Sequence, residues 1–192
     1  VWQALHVPER QPGFCLQKQF IENVRYLGAQ NLTFDLSIRN EELSDAVQLV
    51  KRCPHTTFIL DHAGNPNMRV LLHLTCGSYH AYCQNWLDKL RKLAALGNVY
   101  CKISGFTHTQ NDFQAVAEPL QNVLDIFGEE KVMYASNVPT IHLGGTVAEW
   151  ADYLIRHTQE KSAVYKNKLF FENCLAAYNL VVEDKMQVGI TR

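Results

Sequence analysis

Short apolar runs that read as strands alternate with longer stretches of helical spacing through this chain, and that alternation constrains its fold more than any other feature. Strand-like runs centre on residues 3–6, 33–37, 57–61, 99–103 and 131–135. Between them, apolar residues recur at spacings of three and four, the period of a helix with one buried face. Phe20, Ile21, Val24 and Leu27 mark one such face in 16–29, and Leu43, Ala46, Val47 and Val50 another in 41–52. Trp86, Leu87, Leu90 and Leu93 mark a third in 86–96, and 113–127 and 148–157 follow the same rule, the former interrupted at Pro119. Pro8, Gly28, Pro54, Gly97, Gly128 and Pro139 fall at the boundaries, where chain breakers belong. Residues 67–84 read ambiguously, 161–180 as two short helices and 181–192 as a frayed tail. Strict alternation predicts a parallel sheet with right-handed crossovers and helices packed outside it. Neither GxGxxG after a strand nor GxxxxGK[ST] occurs, which counts against a doubly wound nucleotide-binding sheet.

The chain of 192 residues, 47% hydrophobic, is long enough to bury the core of one domain. A net charge of −1 provides no basic surface for nucleic acid or an anionic membrane. No apolar run approaches the roughly 20 residues of a membrane span. The opening residues read as the inside of a strand, as though cut from a longer protein, and not as a leader. Six scattered cysteines with no CxxC pair predict reduced thiols in a cytoplasmic protein.

Chemistry concentrates after the third strand. Phe58-Ile59-Leu60 delivers Asp61 and His62 into a turn set by Gly64 and Pro66. In parallel α/β proteins the C-terminal strand edge is where ligands bind. The plainer alternative is that Asp61 caps the turn and His62 hydrogen-bonds within it. Arg39, just past the second strand, is either a fork donor to a substrate anion or a solvated loop arginine. Period two puts Lys102 and Ser104 on one face of the fourth strand. A buried Lys102 requires a carboxylate partner, so a structural ion pair is expected. His108 and His142 follow strand ends, and Asn137 sits where a turn residue would precede Pro139. His73, Cys76, His80 and Cys83 form a ligand-type stripe at i, i+3, i+7 and i+10. One straight helix would spread them over about 15 Å, too far for one tetrahedral ion, so a surface or packing face is expected.

Five phrases then occur together in order: FDLSIR (34–39), FILDHAGNP (58–66), WLDKLRKLAALGNVYCKISGF (86–106), FGEEKVMYASNVP (127–139) and FENCLAAYNL (171–180). Their order and spacing resemble the amidohydrolase-related, lactonase-like family, which includes fuconolactonase, sulfomuconolactone hydrolase and pyrone-dicarboxylate lactonase. The resemblance implies an α/β fold, part of a (β/α)8 TIM barrel of the metal-dependent hydrolases, roughly strands 4–8. Residues 1–180 would form one N-terminally incomplete domain. The implied reaction is water attack on the carbonyl carbon of a sugar or dicarboxylate lactone. His62 and Asn137 would take the catalytic positions, and Arg39, Ser104 and His108 the substrate-binding ones. A divalent metal, zinc or manganese, is implied for the complete family, with His62 a candidate ligand here.

Two departures from the family stand out. The strand-one His-x-His is absent, and the family's Gly-Ser-Asp-Trp-Pro reads Ala135-Ser136-Asn137-Val138-Pro139. An asparagine hydrogen-bonds water but does not accept its proton at neutral pH. Two functions are therefore expected as alternatives: a lactone-type hydrolase, or a non-catalytic barrel remnant serving as a binding or assembly module. The chain alone is expected to lack lactonase activity, with Asn137→Asp alone not restoring it. It is also expected to associate through open barrel edges and an exposed interior at Leu36, Ile59 and Ile103.

Overall fold

The computed structural model describes residues 1–72, 77–106 and 113–182. The elements run β1 (Trp2–Ala4), α1 (Lys18–Ala29), β2 (Phe34–Ser37), α2 (Leu43–Arg52), β3 (Phe58–Leu60), α3 (Met68–Leu72) and α4 (Gly77–Ala94). They continue through β4 (Val99–Ile103), α5 (Ala117–Phe127), β5 (Val132–Tyr134), α6 (Val147–His157), α7 (Ala163–Asn167) and α8 (Asn173–Tyr178). All five expected strands are present, and every neighbouring pair is parallel. Their spatial order is β1-β2-β3-β4-β5, so each crossover advances the sheet in the same direction. A doubly wound sheet reverses at a switch point, whereas a barrel never does, so this is the winding of a partial (β/α)8 barrel.

The two faces of the sheet differ. Phe34, Leu36, Phe58, Leu60, Val99, Cys101, Ile103 and Val132 join the helices in one large core. At the opposite parity the registered row Asp35, Ile59 and Tyr100 lies beside Lys102 and Met133. This inner face carries its own small apolar cluster: Ile59, Met133 and Ala177, with Tyr100, Cys174 and Tyr178 against them. Helix α8 thus covers part of the inner face. Leu36, Ile59 and Ile103 are all fully buried, contrary to the expected exposed interior. Leu36 and Ile103 point to the helices, and α8 helps cover Ile59. On the sheet itself, Trp2 of the first strand is an exposed apolar side chain.

Helix boundaries depart from the periodicity in three places. Helix α4, described from Gly77, runs for well over a turn ahead of the apolar face at Trp86 that marks it in sequence. Pro119 sits in the first turn of α5, after a 3-10 turn at Phe113–Val116, and so does not interrupt the helix. There its missing N–H would have lacked an intrahelical acceptor anyway. The stretch after Ser162 is one continuous helical run, α7 and α8 being joined by a π-helical turn at Lys168–Glu172. Among the described residues no helix is long and apolar enough to cross a membrane. Cys15, Cys53 and Cys101 are buried thiols, and burial pushes Cys15 up to about 12.

Asn173 fastens the final helix to the sheet. Its Nδ2 donates to the carbonyls of Glu129 and Val132, both at 2.7 Å. Asn173→Ala would leave two carbonyls at the start of β5 without this donor. We expect a loss of about 1–3 kcal/mol, read as a lowered urea midpoint at unchanged m-value.

Candidate functional site

The turn after β3 has an unusual backbone. His62 (φ 53°), Ala63 (φ 48°), Gly64 (φ 77°) and Asn65 (φ 51°) are all left-handed. A non-glycine residue there costs roughly 1–2 kcal/mol, so the surroundings must impose the conformation. Trp86, buried in the core, donates its indole N–H to the Ala63 carbonyl at 3.0 Å. Asn65 donates from Nδ2 to the Ile38 carbonyl at 2.9 Å. Gly105, after β4, gives the imidazole room, since a Cβ there would lie 2.8 Å from Cβ of His62.

Beneath the turn lies a buried charge cluster. Lys102 Nζ sits 2.5 Å from Asp35 Oδ2 and 2.9 Å from Asp61 Oδ1. Trp2 donates its indole N–H to Asp61 Oδ2 at 3.1 Å, and Tyr178 its hydroxyl to Asp35 Oδ2 at 2.6 Å. Burial alone would pull the Lys102 ammonium down. The Asp61 charge and the hydrogen bonds with Asp35, Tyr178 and Asp61 outweigh it and hold Lys102 above the usual lysine range. Burial and the bond to Asp35 hold the Tyr178 phenol high as well. Lys102 thus has the carboxylate partner its position demands, and with Trp2 it anchors Asp61, the residue preceding His62.

A cavity of about 720 Å³ opens at the C-terminal end of the strands. Every strand contributes to its wall: His6 beyond β1, Ser37 closing β2, His62 beyond β3, Gly105 beyond β4 and Asn137 beyond β5. His62 Nδ1 lies 2.7 Å from Ser104 Oγ, and His6 Nδ1 lies 3.1 Å from Ser37 Oγ. The His62 ring is held below the ordinary imidazole value of 6.5, chiefly by burial. The Lys102 and His6 charges add to that effect and Asp61 opposes it. His62 is therefore neutral near pH 7.

Of the five residues named from sequence, His62 and Asn137 line this one cavity, and Ser104 reaches it through the His62 ring. Arg39 lies elsewhere. Its guanidinium bonds Glu42 at 2.5 Å, the Val7 carbonyl at 3.2 Å and the Arg10 carbonyl at 2.7 Å, tying the loop after β1 to the 3-10 turn Asn40–Glu42. His108 lies outside the described residues, and His142 is exposed on the turn Thr140–Leu143. Asn137 does take a turn conformation, with φ 58°. His6 and Ser37 escaped the sequence reading, although the parity that pairs Lys102 with Ser104 also selects them. Of the His/Cys stripe, His73 and Cys76 lie outside the described residues, and Gly77–Ala94 carries His80 and Cys83.

Among the described residues no three His, Cys, Asp or Glu side chains converge as metal ligands. The cavity wall supplies two imidazoles, while Asp35 and Asp61 are engaged by Lys102. Two rings fall short of the three protein ligands of a catalytic zinc. The described donors do not make up a metal centre.

Three measurements check this geometry. Lys102→Met leaves two carboxylates buried without their cation, and we expect a loss of about 3–5 kcal/mol in denaturant unfolding. Gly105→Ala must displace the His62 ring, visible as a shift of its imidazole resonances. For pH, the unfolded state takes up a proton near 6.5 that the folded His62 refuses. Stability should therefore fall as pH drops below about 6.5 and level off below the folded value. His157, held low by burial, contributes with the same sign. The slope lost in His62→Asn isolates the His62 share.

Comparison with known proteins agrees with this fold. Residues 5–180 match the Amidohydrolase family model, Amidohydro_2. The chain is 26% identical over 176 residues to L-fucono-1,5-lactonase of Burkholderia multivorans (strain ATCC 17616 / 249), covering 87% of this chain and 58% of that protein. A crystal structure of an amidohydrolase from Burkholderia multivorans with bound zinc superposes with a TM-score of 0.83 at 25% identity, over 94% of this chain and 64% of that one. A putative 2-pyrone-4,6-dicarboxylic acid hydrolase from Pseudomonas putida shares the fold, with a TM-score of 0.70 at 18% identity over 95% of this chain and 64% of that one. With a family match running through all five motifs and nearly the whole length, the chain belongs to the amidohydrolase family.

Proposed function

We propose that the cavity receives a small lactone and that the chemistry served here is addition of water to the ring carbonyl. The observation supporting this most strongly is His62, a neutral imidazole lining the cavity and oriented by a buried serine, at the C-terminal mouth of an amidohydrolase sheet. The similarity to an L-fucono-1,5-lactonase favours a sugar lactone as substrate.

In the tautomer whose Nδ1–H is donated to Ser104 Oγ, 2.7 Å away, the lone pair of His62 is on Nε2. Water bound there gives a proton to Nε2 as its oxygen bonds to the carbonyl carbon. The tetrahedral adduct collapses, the ring C–O bond breaks, and the leaving ring oxygen takes the proton from Nε2. One water is consumed, a hydroxy acid forms and the imidazole returns neutral. Asn137 orients water or the carbonyl by hydrogen bonds but holds no proton-accepting lone pair at neutral pH.

Asn137 also favours a second reading, a binding module without turnover. Loss of a positioned general base costs typically ~10²–10⁴-fold in rate. The test assays the chain and His62→Asn against sugar and dicarboxylate lactones, with zinc or manganese and with a chelator, and measures ligand binding by NMR in parallel. Turnover lost in His62→Asn supports the hydrolase. Binding without turnover supports the binding module. Absence of both overturns the lactone site altogether.

A further inference from the structure

The cavity holds a second imidazole, presented in the same manner as the first. We infer that His6 is a ligand-contacting residue of this site, giving an Nε2–H hydrogen bond to an oxygen of the bound molecule while His62 handles the water. This rests on the lactone-site reading above.

His6 emerges directly from the sheet. The Leu5 N–H still donates to the Ser37 carbonyl at 2.9 Å, so the β1–β2 pairing extends to the residue before it. His6 keeps the inward parity of Trp2 and Ala4, and all three line the cavity. Its Nδ1 meets Ser37 Oγ at 3.1 Å, as His62 Nδ1 meets Ser104 Oγ at 2.7 Å. Both serines are almost fully buried, Ser37 at 2% and Ser104 at 1% exposure. Two such pairs thus bridge β1 to β2 and β3 to β4. Neither Nε2 has a hydrogen-bond partner among the described residues.

The donor inventory of the wall points the same way. A carbonyl under attack by water wants an N–H donor on its oxygen. The Trp2 indole N–H is given to Asp61, and Asn65 Nδ2 donates to the Ile38 carbonyl. Besides His62 itself, the N–H groups left on the described wall are those of Asn137 and His6 and the second amide hydrogen of Asn65, whose amide is already held at Ile38. A serine partner, unlike a carboxylate, either donates or accepts. With Ser37 donating to Nδ1, His6 presents Nε2–H. With Ser104 accepting from Nδ1, His62 presents its lone pair. One kind of pair therefore supplies both halves of the hydrogen-bonding pattern that a carbonyl and its attacking water require.

The experiment titrates the full chain, labelled with 15N at histidine, with L-galactono-1,4-lactone while the imidazole resonances are followed. The expected result is that His6 and His62 respond along one binding curve. His6→Gln should weaken binding by about threefold to tenfold, the worth of one hydrogen bond, with the His62 response retained. Ser37→Ala should shift the tautomer balance of His6 in its 15N spectrum and weaken binding in the same direction. His6 is exposed, and an unchanged amide spectrum of His6→Gln verifies that the fold survives. If His62 responds while His6 stays silent and His6→Gln binds equally well, the inference is overturned and the lactone site stands. If neither ring responds and nothing binds, the lactone site falls and takes the inference with it.

Discussion

Lys102 is the point on which the inner face of this sheet depends. A row of inward-facing strand residues would ordinarily be apolar, yet Asp35, Asp61 and Lys102 stand there together with little access to water. Removing such groups from water costs several kcal/mol per ion, and only mutual pairing with good hydrogen bonds offsets it. The pairing here spans three strands. Trp2 adds β1 through its indole, and Tyr178 adds α8 through its phenol. One ammonium thereby fixes how four strands and the covering helix sit relative to one another. Such a cluster contributes little net stability compared with an apolar filling, but it tolerates few arrangements. We read its role as specifying geometry at the base of the cavity.

That geometry supports a strained turn. The left-handed run at 62–65 is intrinsically unfavourable, and each contact holding it comes from a different element: Trp86 from α4, Ile38 from beyond β2, Gly105 from beyond β4. The Asp61 carboxylate, gripped from below, prevents the turn from relaxing towards the strand. The result is an imidazole whose place is set by the whole sheet and not by its own neighbours in sequence.

Much of this was legible in the sequence because it depends on period and punctuation. The strand positions, their parallel order and the shared mouth of His62 and Asn137 follow from alternation and from breakers such as Gly64 and Pro139. The need of Lys102 for a carboxylate followed from burial alone, but its identity did not. Asp35 and Asp61 meet it across 67 and 41 residues of chain, and no local rule encodes such distances. His6 is not legible locally, because a single histidine before Pro8 looks like the end of a strand, whereas its place in the wall involves a serine 31 positions away. Arg39 had the right residue type at the right edge, but the carbonyls that occupy its guanidinium belong to a loop with no sequence signature. The part of α4 ahead of Trp86 is hidden because residues 77–85 mix small, polar and aromatic side chains without a clean apolar period.

The phenol of Tyr178 reaches Asp35 across 143 residues. Contacts of that separation are slow to form and are absent while a chain is still being made. On the ribosome, β2 and β4 are both complete long before residue 178 emerges. Until Tyr178 and the rest of its helix are in place, the Asp35–Lys102 pair lacks both the phenol and the apolar cover that α8 lays on this face. The floor of the site is thus tied to one of the latest parts of the described chain to be synthesised, and its completion depends on a contact that no local stretch of sequence can make.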